Sequence, residues 1–366
     1  MHANLPSFDA IDLTHFANTL ETLLNHHLER IETLSQQKKP TWDNLIRPLE
    51  SMDDALEKLY SPLSHLHAVV NSEPLRQVYQ ACLPKLSMYH TQIGQNKALF
   101  EAISSIDTQN LNATQQKIIH DMLRDFKLSG VALDDHAKKR FEAISTRQAE
   151  LSNLFDNHVL DATQAYTLNI DENQAQGLPD HALQEAKALA NEKSLPGYTL
   201  TLETPCYLAV MSYANDRALR QTLYHAYITR ASNQGPFAKQ FDNTPVMAEI
   251  LALRHEKAAL LGFSNYAELS LASKMAQSTE EVIQFLSNLA KRGYSKALAE
   301  FHALQTFSRE HHNIEDVKPW DIAWLSEKMK QNQYDFSEED LRPYFPQDTV
   351  LSGLFEMIKR LYGMTL

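Results

Sequence analysis

The sequence predicts an all-α protein, an elongated multi-helix lobe with one small strand–helix–strand insert. Three observations carry that prediction. Apolar residues recur every three or four positions through most of the chain, which lines them along one face of a helix. Helix start and stop signals, such as Ser278-Thr-Glu-Glu281 and Ser129-Gly130, bracket those runs. Only two stretches change to a short β-branched and aromatic pattern.

Taken in order, Ile11, Leu13, Phe16, Leu20, Leu24, Leu28 and Ile31 predict a long first helix over 8–34. The pattern recurs over 55–70, 75–103 and 113–128, the last stopped by Ser129-Gly130. Asp134 and Asp135 can cap a further helix carrying Phe141, Ile144, Leu151 and Phe155 on one face. Residues 1–160 therefore form an N-terminal helical region joined by short Pro- or Gly-marked turns. Residues 161–205 form the insert, with strands at Ala165–Ile170 and Tyr198–Leu202 and a helix over 180–190 between them. Residues 206–366 are a second helical region continuous with the first. It holds one helix from Pro205 to Tyr227, one over 246–261 stopped by Gly262, and one opened by the capping box at Ser278. Near the end, Leu354–Leu361 is helical, Gly363 can cap it, and Met364-Thr-Leu366 reads as the start of another element.

Composition excludes several function classes. With 366 residues, 43% of them hydrophobic, the chain needs no covalent staples for its core. Cys82 and Cys206 lie far apart with no CxxC spacing and read as reduced core thiols. The formal charge of -12, from 46 acidic and 34 basic residues, opposes a phosphate backbone and argues against nucleic acid. Nine glycines leave no Gly-rich phosphate loop and no GxSxG elbow. Residues 1–12 carry no signal-peptide pattern, and no stretch approaches the ~18 apolar residues of a membrane span. A cytoplasmic address without membrane contact is the expectation.

Sixteen histidines invite a metal site, since imidazole is a common zinc ligand and a helix brings i and i+4 together. No two histidines stand three or four apart, so the HExxH arrangement, two imidazoles on one zinc with a glutamate to activate water, is absent. His255-Glu256 comes nearest, with Ala259 where the second histidine would stand; its charged neighbours read as a solvated or interhelical face. His311 and His312 with Glu315 and Asp316 could hold a cation weakly, but a hydrated helix end explains them. His65 and His67 point different ways on a helix. Asp53-Asp54, Asp134-Asp135 and Glu338-Glu339-Asp340 sit at helix starts, where negative charge suits the helix dipole. Trp320, Trp324, Tyr334, Tyr344 and Phe345 form an aromatic cluster that could line a cleft and reads more simply as core. No catalytic or metal residue is assigned, and no substrate contact is identified.

Several strings together resemble the oligopeptidase A family of zinc metallopeptidases, relatives of thimet oligopeptidase and dipeptidyl carboxypeptidase. Tyr60-Ser-Pro-Leu-Ser-His-Leu66, Leu123-Arg-Asp-Phe-Lys-Leu-Ser-Gly130, Thr229-Arg-Ala-Ser-Asn-Gln-Gly-Pro236 and Leu251-Ala-Leu-Arg-His-Glu256 look like family segments in family order. Leu260-Leu-Gly-Phe-Ser-Asn-Tyr-Ala267, Ser273-Lys-Met-Ala276, Pro319-Trp-Asp-Ile-Ala323, Arg342-Pro-Tyr-Phe-Pro346 and Gly353-Leu-Phe355 continue the series. The resemblance implies a peptidase that cleaves short unfolded peptides in a channel between helical lobes, with one zinc on an HExxH helix. Nothing in this chain matches those ligands. The expectation is therefore the N-terminal, non-catalytic lobe of such an enzyme, inactive alone, with zinc belonging to the full-length parent and short peptides as partners. Apolar surface left by truncation would favour self-association. The alternative is a free-standing helical module that binds peptides or proteins.

Overall fold

A computed structural model of the chain describes Phe8 and residues 11–365. The described chain is all-α, with one two-stranded antiparallel sheet among the described residues. It divides into two compact units, the first made of residues up to 157 with 244–285 and the second of 158–243 with 286–366.

In the first unit, α1 (Phe16–Ser35), α2 (Arg47–Val69) and α3 (Glu73–Gly94) bury Leu20, Leu24, Leu56, Leu63, Cys82 and Leu86 against one another. The first helix starts later than its apolar pattern does. Asp12 accepts from the Thr14 amide at 2.9 Å and contacts His15 Nδ1 at 2.8 Å, and this local turn competes with the helix. A π-helical turn, Trp42–Ile46, leads into α2 and is held by a capping box between Thr41 and Asn44. Pro62 and Pro84 lie inside α2 and α3 rather than at turns.

The helix expected over 75–103 is two helices. After α3, Asn96 caps α4 (Lys97–Ser104) by accepting from the Leu99 amide at 2.9 Å. A second core joins α1, α4 and α5 (Ala113–Leu128) through Ile31, Leu99, Ile103, Ile119 and Phe126. Residues 135–157 of α6 (Asp135–Ala165) pack Ile144 and Leu151 on Val246 and Leu253 of α10, Thr244–Leu260. Asp134 accepts from the Ala137 amide at 2.8 Å, so it does cap α6. A short helix, α11 (Tyr266–Leu271), follows.

The second unit holds the insert. β1 (Thr167–Ile170) pairs with β2 (Tyr198–Thr201), Thr167 opposite Thr201 and Ile170 opposite Tyr198. The helix α7 (Asp180–Glu192) lies between them in sequence and packs on β2. Gly197 turns the chain into β2 at φ +72, where a side chain would run into the Ile170 carbonyl oxygen.

The helix expected from Pro205 to Tyr227 is also two, α8 (Thr204–Tyr213) and α9 (Arg217–Ile228). Asp216 restarts the helix by accepting from the Ala218 and Leu219 amides at 2.8 and 3.1 Å. Leu200, Leu202, Val210, Leu219 and Leu223 form the core of the insert and these two helices.

The capping box at Ser278 opens α12 (Thr279–His312). Glu281 N donates to Ser278 Oγ at 3.2 Å, while the Glu281 carboxylate reaches one residue further back to the Gln277 amide, 2.7 Å. Leu304 and Phe307, near the end of α12, pack on Trp324 and Leu325 of α13 (Pro319–Tyr334). After a 3-10 turn at Glu338–Tyr344 comes α14 (Gln347–Tyr362), closed by Gly363 at φ +68. Residues 363–365 are irregular, and Leu366 lies outside the described residues.

Candidate functional site

Most polar residues singled out in the sequence have structural partners. Glu256 makes a two-pronged ion pair with Arg140, at 2.5 and 2.7 Å, while His255 and Ala259 are exposed. This is the interhelical charged face, between α10 and α6. His312 packs edge-on to Trp324 at 4.7 Å and His311 lies 4.6 Å from the Phe307 ring; Asp316 pairs with Lys318 at 2.6 Å. His67 stacks on Tyr79 at 4.0 Å, and His65 meets Phe8 edge-on at 5.5 Å. Asp54 pairs with Lys58, Glu338 with Lys330, and Asp340 accepts from the Ser337 amide at 2.8 Å. Cys82 is buried and Cys206 half-buried, both as free thiols; burial pushes the Cys82 thiol up to about 11.

The aromatic cluster splits. Trp324 is buried and Trp320 half-buried, whereas Tyr334, Tyr344 and Phe345 are exposed. Trp324 covers a charged centre that the sequence analysis missed. Asp321, 0% exposed, accepts from Arg220 Nη2 at 3.0 Å, from Arg217 Nε and Nη2 at 3.0 and 2.7 Å, and from the Lys318 amide at 3.0 Å. Arg220, 1% exposed, also donates to the carbonyls of Ala214, Asn215 and Trp320 at 2.7, 3.3 and 3.1 Å, and its guanidinium lies 4.6 Å from the Trp324 ring. Burial pushes the Asp321 carboxyl up, but the bonds from Arg217, the Lys318 amide and Arg220 outweigh it and hold it below the ordinary carboxylate range. The centre fixes α13 against α8 and α9. Its local signal was the pair Arg217 and Arg220, three apart on one helix face, beside an acidic neighbour, Asp216, that is engaged in capping the Ala218 and Leu219 amides.

Beyond that anchor, the second unit presents bare helix faces. Residues 286–303 of α12 are exposed at every position. Winding at ~100° per residue puts Ala290, Gly293 and Ala297 in one strip, with Leu286 on the same line, flanked by Leu289 on one side and by Tyr294 and Phe301 on the other. In α14, Val350, Leu351, Leu354, Phe355, Leu361 and Tyr362 share a face and are likewise exposed. An apolar stripe of this kind normally faces a core. A cavity of about 380 Å³ opens beside the insert, where Arg342 reaches Glu339 at 3.0 Å and His181 at 3.2 Å.

Among the described residues no three His, Cys, Asp or Glu side chains converge to hold a metal ion. No described helix is long and apolar enough to cross a membrane.

Two sequence-family models describe peptidases and match separate stretches of the chain. A sequence model described as Peptidase family M3 matches residues 210–366, and one described as Neurolysin/Thimet oligopeptidase, N-terminal domain, matches residues 20–138. The chain is similar to this family over both matched stretches. It is a homologue of oligopeptidase A, being 46% identical over 367 residues to that protein of Escherichia coli strain K12, which covers 99% of this chain and 54% of the relative. Oligopeptidase A of Salmonella typhimurium is 45% identical, with the same two coverages. That of Haemophilus influenzae is 45% identical over 98% of this chain and 54% of the relative. The chain thus spans about half the length of the curated relatives it matches.

Proposed function

We propose that this chain is the N-terminal, non-catalytic lobe of a zinc metallo-oligopeptidase that hydrolyses short peptides in the cytoplasm. The observation that carries the reading is the pair of uncovered faces on α12 and α14, in a chain half as long as its oligopeptidase A relatives. Helices of this amphipathic design gain most of their stability from packing rather than propensity, so the faces call for the remainder of the parent as their cover. Zinc in that remainder would polarise the scissile carbonyl and activate water. This lobe contributes no ligand; it supplies one wall of an enclosed channel and excludes folded proteins.

The test is hydrolysis by a full-length parent of a ten-residue peptide, and of the same sequence embedded in a stably folded domain. Chelator-sensitive cleavage restricted to the free peptide is expected. Equal rates on both substrates would contradict the channel, and cleavage insensitive to chelators would contradict the metal chemistry.

A further inference from the structure

A polar cavity of about 340 Å³ lies within the first unit, lined from α3, from the end of α5, and from α6 and α10. Its volume falls in the range of ligand pockets, roughly 300–1,000 Å³. The lining combines one ammonium, Lys257, with the hydroxyls of Ser87, Thr91, Ser129 and Ser145, while Leu128 and Phe141 add apolar surface.

Three of those hydroxyls are unspent. Several helical hydroxyls of this chain donate back to the carbonyl one turn earlier, as Thr22 and Ser51 do at 2.9 Å and Thr19 and Thr33 at 3.1 Å. Thr91, Ser129 and Ser145 donate to no acceptor among the described residues, although Thr91 is only 6% exposed; Ser145 Oγ accepts from Lys257 Nζ at 3.4 Å, which leaves its own proton to give. Buried donors ordinarily find a partner. The charge is unspent as well. Lys257, half-buried with its Nζ 4.6 Å from the Phe141 ring centroid, makes no ion pair among the described residues. Asp125, in the same lining, is neutralised by Arg124 at 2.8 Å. Burial, with nothing opposing it, pushes the Lys257 amine below the ordinary lysine value, as expected of a cation lacking a counter-charge.

We propose that this cavity is a binding site for a phosphate group, carried either as the free anion or on a small phosphomonoester. A lysine acts on phosphate as a point charge, and hydroxyl donors to an ionised oxygen make short, charge-assisted bonds. Donors brought by separate helices suit a tetrahedral anion, whose oxygens point in different directions, better than a planar carboxylate. The phosphate oxygens meet Lys257, Thr91, Ser129 and Ser145, and the carbon body of a monoester lies against Leu128 and Phe141. The site uses no metal and takes no part in peptide hydrolysis, so it stands or falls independently of the function proposed above.

Calorimetric titration of this chain with inorganic phosphate and with phenyl phosphate, at matched ionic strength, tests the site. One saturable event is expected, and the tighter of the two ligands tells whether the cavity is built for the free anion or for the ester. Lys257→Met should weaken it at least about tenfold, and Thr91→Val with Ser145→Ala several-fold, with folding checked by circular dichroism. On the unmutated chain, the bound ligand should slow acetylation of Lys257 several-fold, read by mass spectrometry, while other lysines react as before. Absence of saturable binding by both ligands would overturn the proposal. So would unchanged affinity in Lys257→Met, acetylation of Lys257 at an unaltered rate, or acetate binding as tightly as phosphate.

Discussion

Replacing Asp321 by Asn should destabilise the second unit far more than any surface change. The substitution keeps the shape and removes the charge, leaving the Arg220 guanidinium, 1% exposed, without its anion. Breaking a buried pair from one side costs about 3–5 kcal/mol. The Arg217 contribution is smaller, because its side chain is 44% exposed and can turn to water; such a pair is worth about 1 kcal/mol at most. At roughly 2–4 °C per kcal/mol for a unit of this size, the melting temperature should fall by about 10 °C. Urea denaturation followed by tryptophan fluorescence is suited to the measurement, since Trp324 lies over the Arg220 guanidinium. The pH dependence carries a sign. Asp321 is held below its ordinary value of 3.8, so its stabilisation is complete above that pH and disappears as pH falls through the lower folded value. The gap between wild type and D321N should therefore be widest near neutrality and close in acid. A melting shift under about 2 °C at pH 7, equivalent to less than about 1 kcal/mol, would refute the buried-charge argument. Pairing Asp321→Leu with Arg220→Met should recover only part of the loss, because the Ala214, Asn215 and Trp320 carbonyls then lack their donor.

Elemental analysis of the purified chain should find no stoichiometric zinc, and one tightly held zinc per chain would show that a ligand set has been missed. Gly177→Ala should cost more than about 2 kcal/mol in urea denaturation, because at φ +92 a Cβ would run into the Tyr213 carbonyl oxygen. Gly262→Ala, at φ +81 with open space around it, should cost only about 1 kcal/mol, and equal losses would contradict the steric account. Sedimentation should show concentration-dependent self-association together with hydrophobic-dye binding, both reduced by Leu289→Glu with Phe301→Glu. A strictly monomeric, dye-silent chain would mean that the exposed faces are not sticky.

Helix identity was legible wherever an apolar stripe coincided with a cap, as at Asp134 and Ser278. Helix breaks were not. Asn96 and Asp216 each restart a helix by capping, but the apolar spacing runs on across both positions and masks the interruption. Pro62 and Pro84 fall inside the helices expected over 55–70 and 75–103, and α2 and α3 do run through them. For the site, local sequence showed what Glu256 lacks, a second histidine one turn on, and allowed for a charged interhelical face there. It could not reveal Asp321 as the partner of Arg220, because 101 residues separate them. Nor could it distinguish the buried Trp324 from the exposed Tyr334, Tyr344 and Phe345. Aromatic density marks apolar surface without saying whether the chain itself covers it.

The bare faces of α12 and α14 have a consequence for synthesis. A parent as long as the Escherichia coli relative, in which the matched 367 residues make up 54%, would still have about 300 residues to translate after α14. At about 5–20 residues per second, that takes roughly 15–60 s. Throughout it, a nascent lobe with an otherwise finished core would present two greasy helices to the cell. Such a parent would need a ribosome-associated chaperone more in the middle of its translation than at the end, and a ribosomal stall shortly after α14 would be the arrest most prone to aggregate.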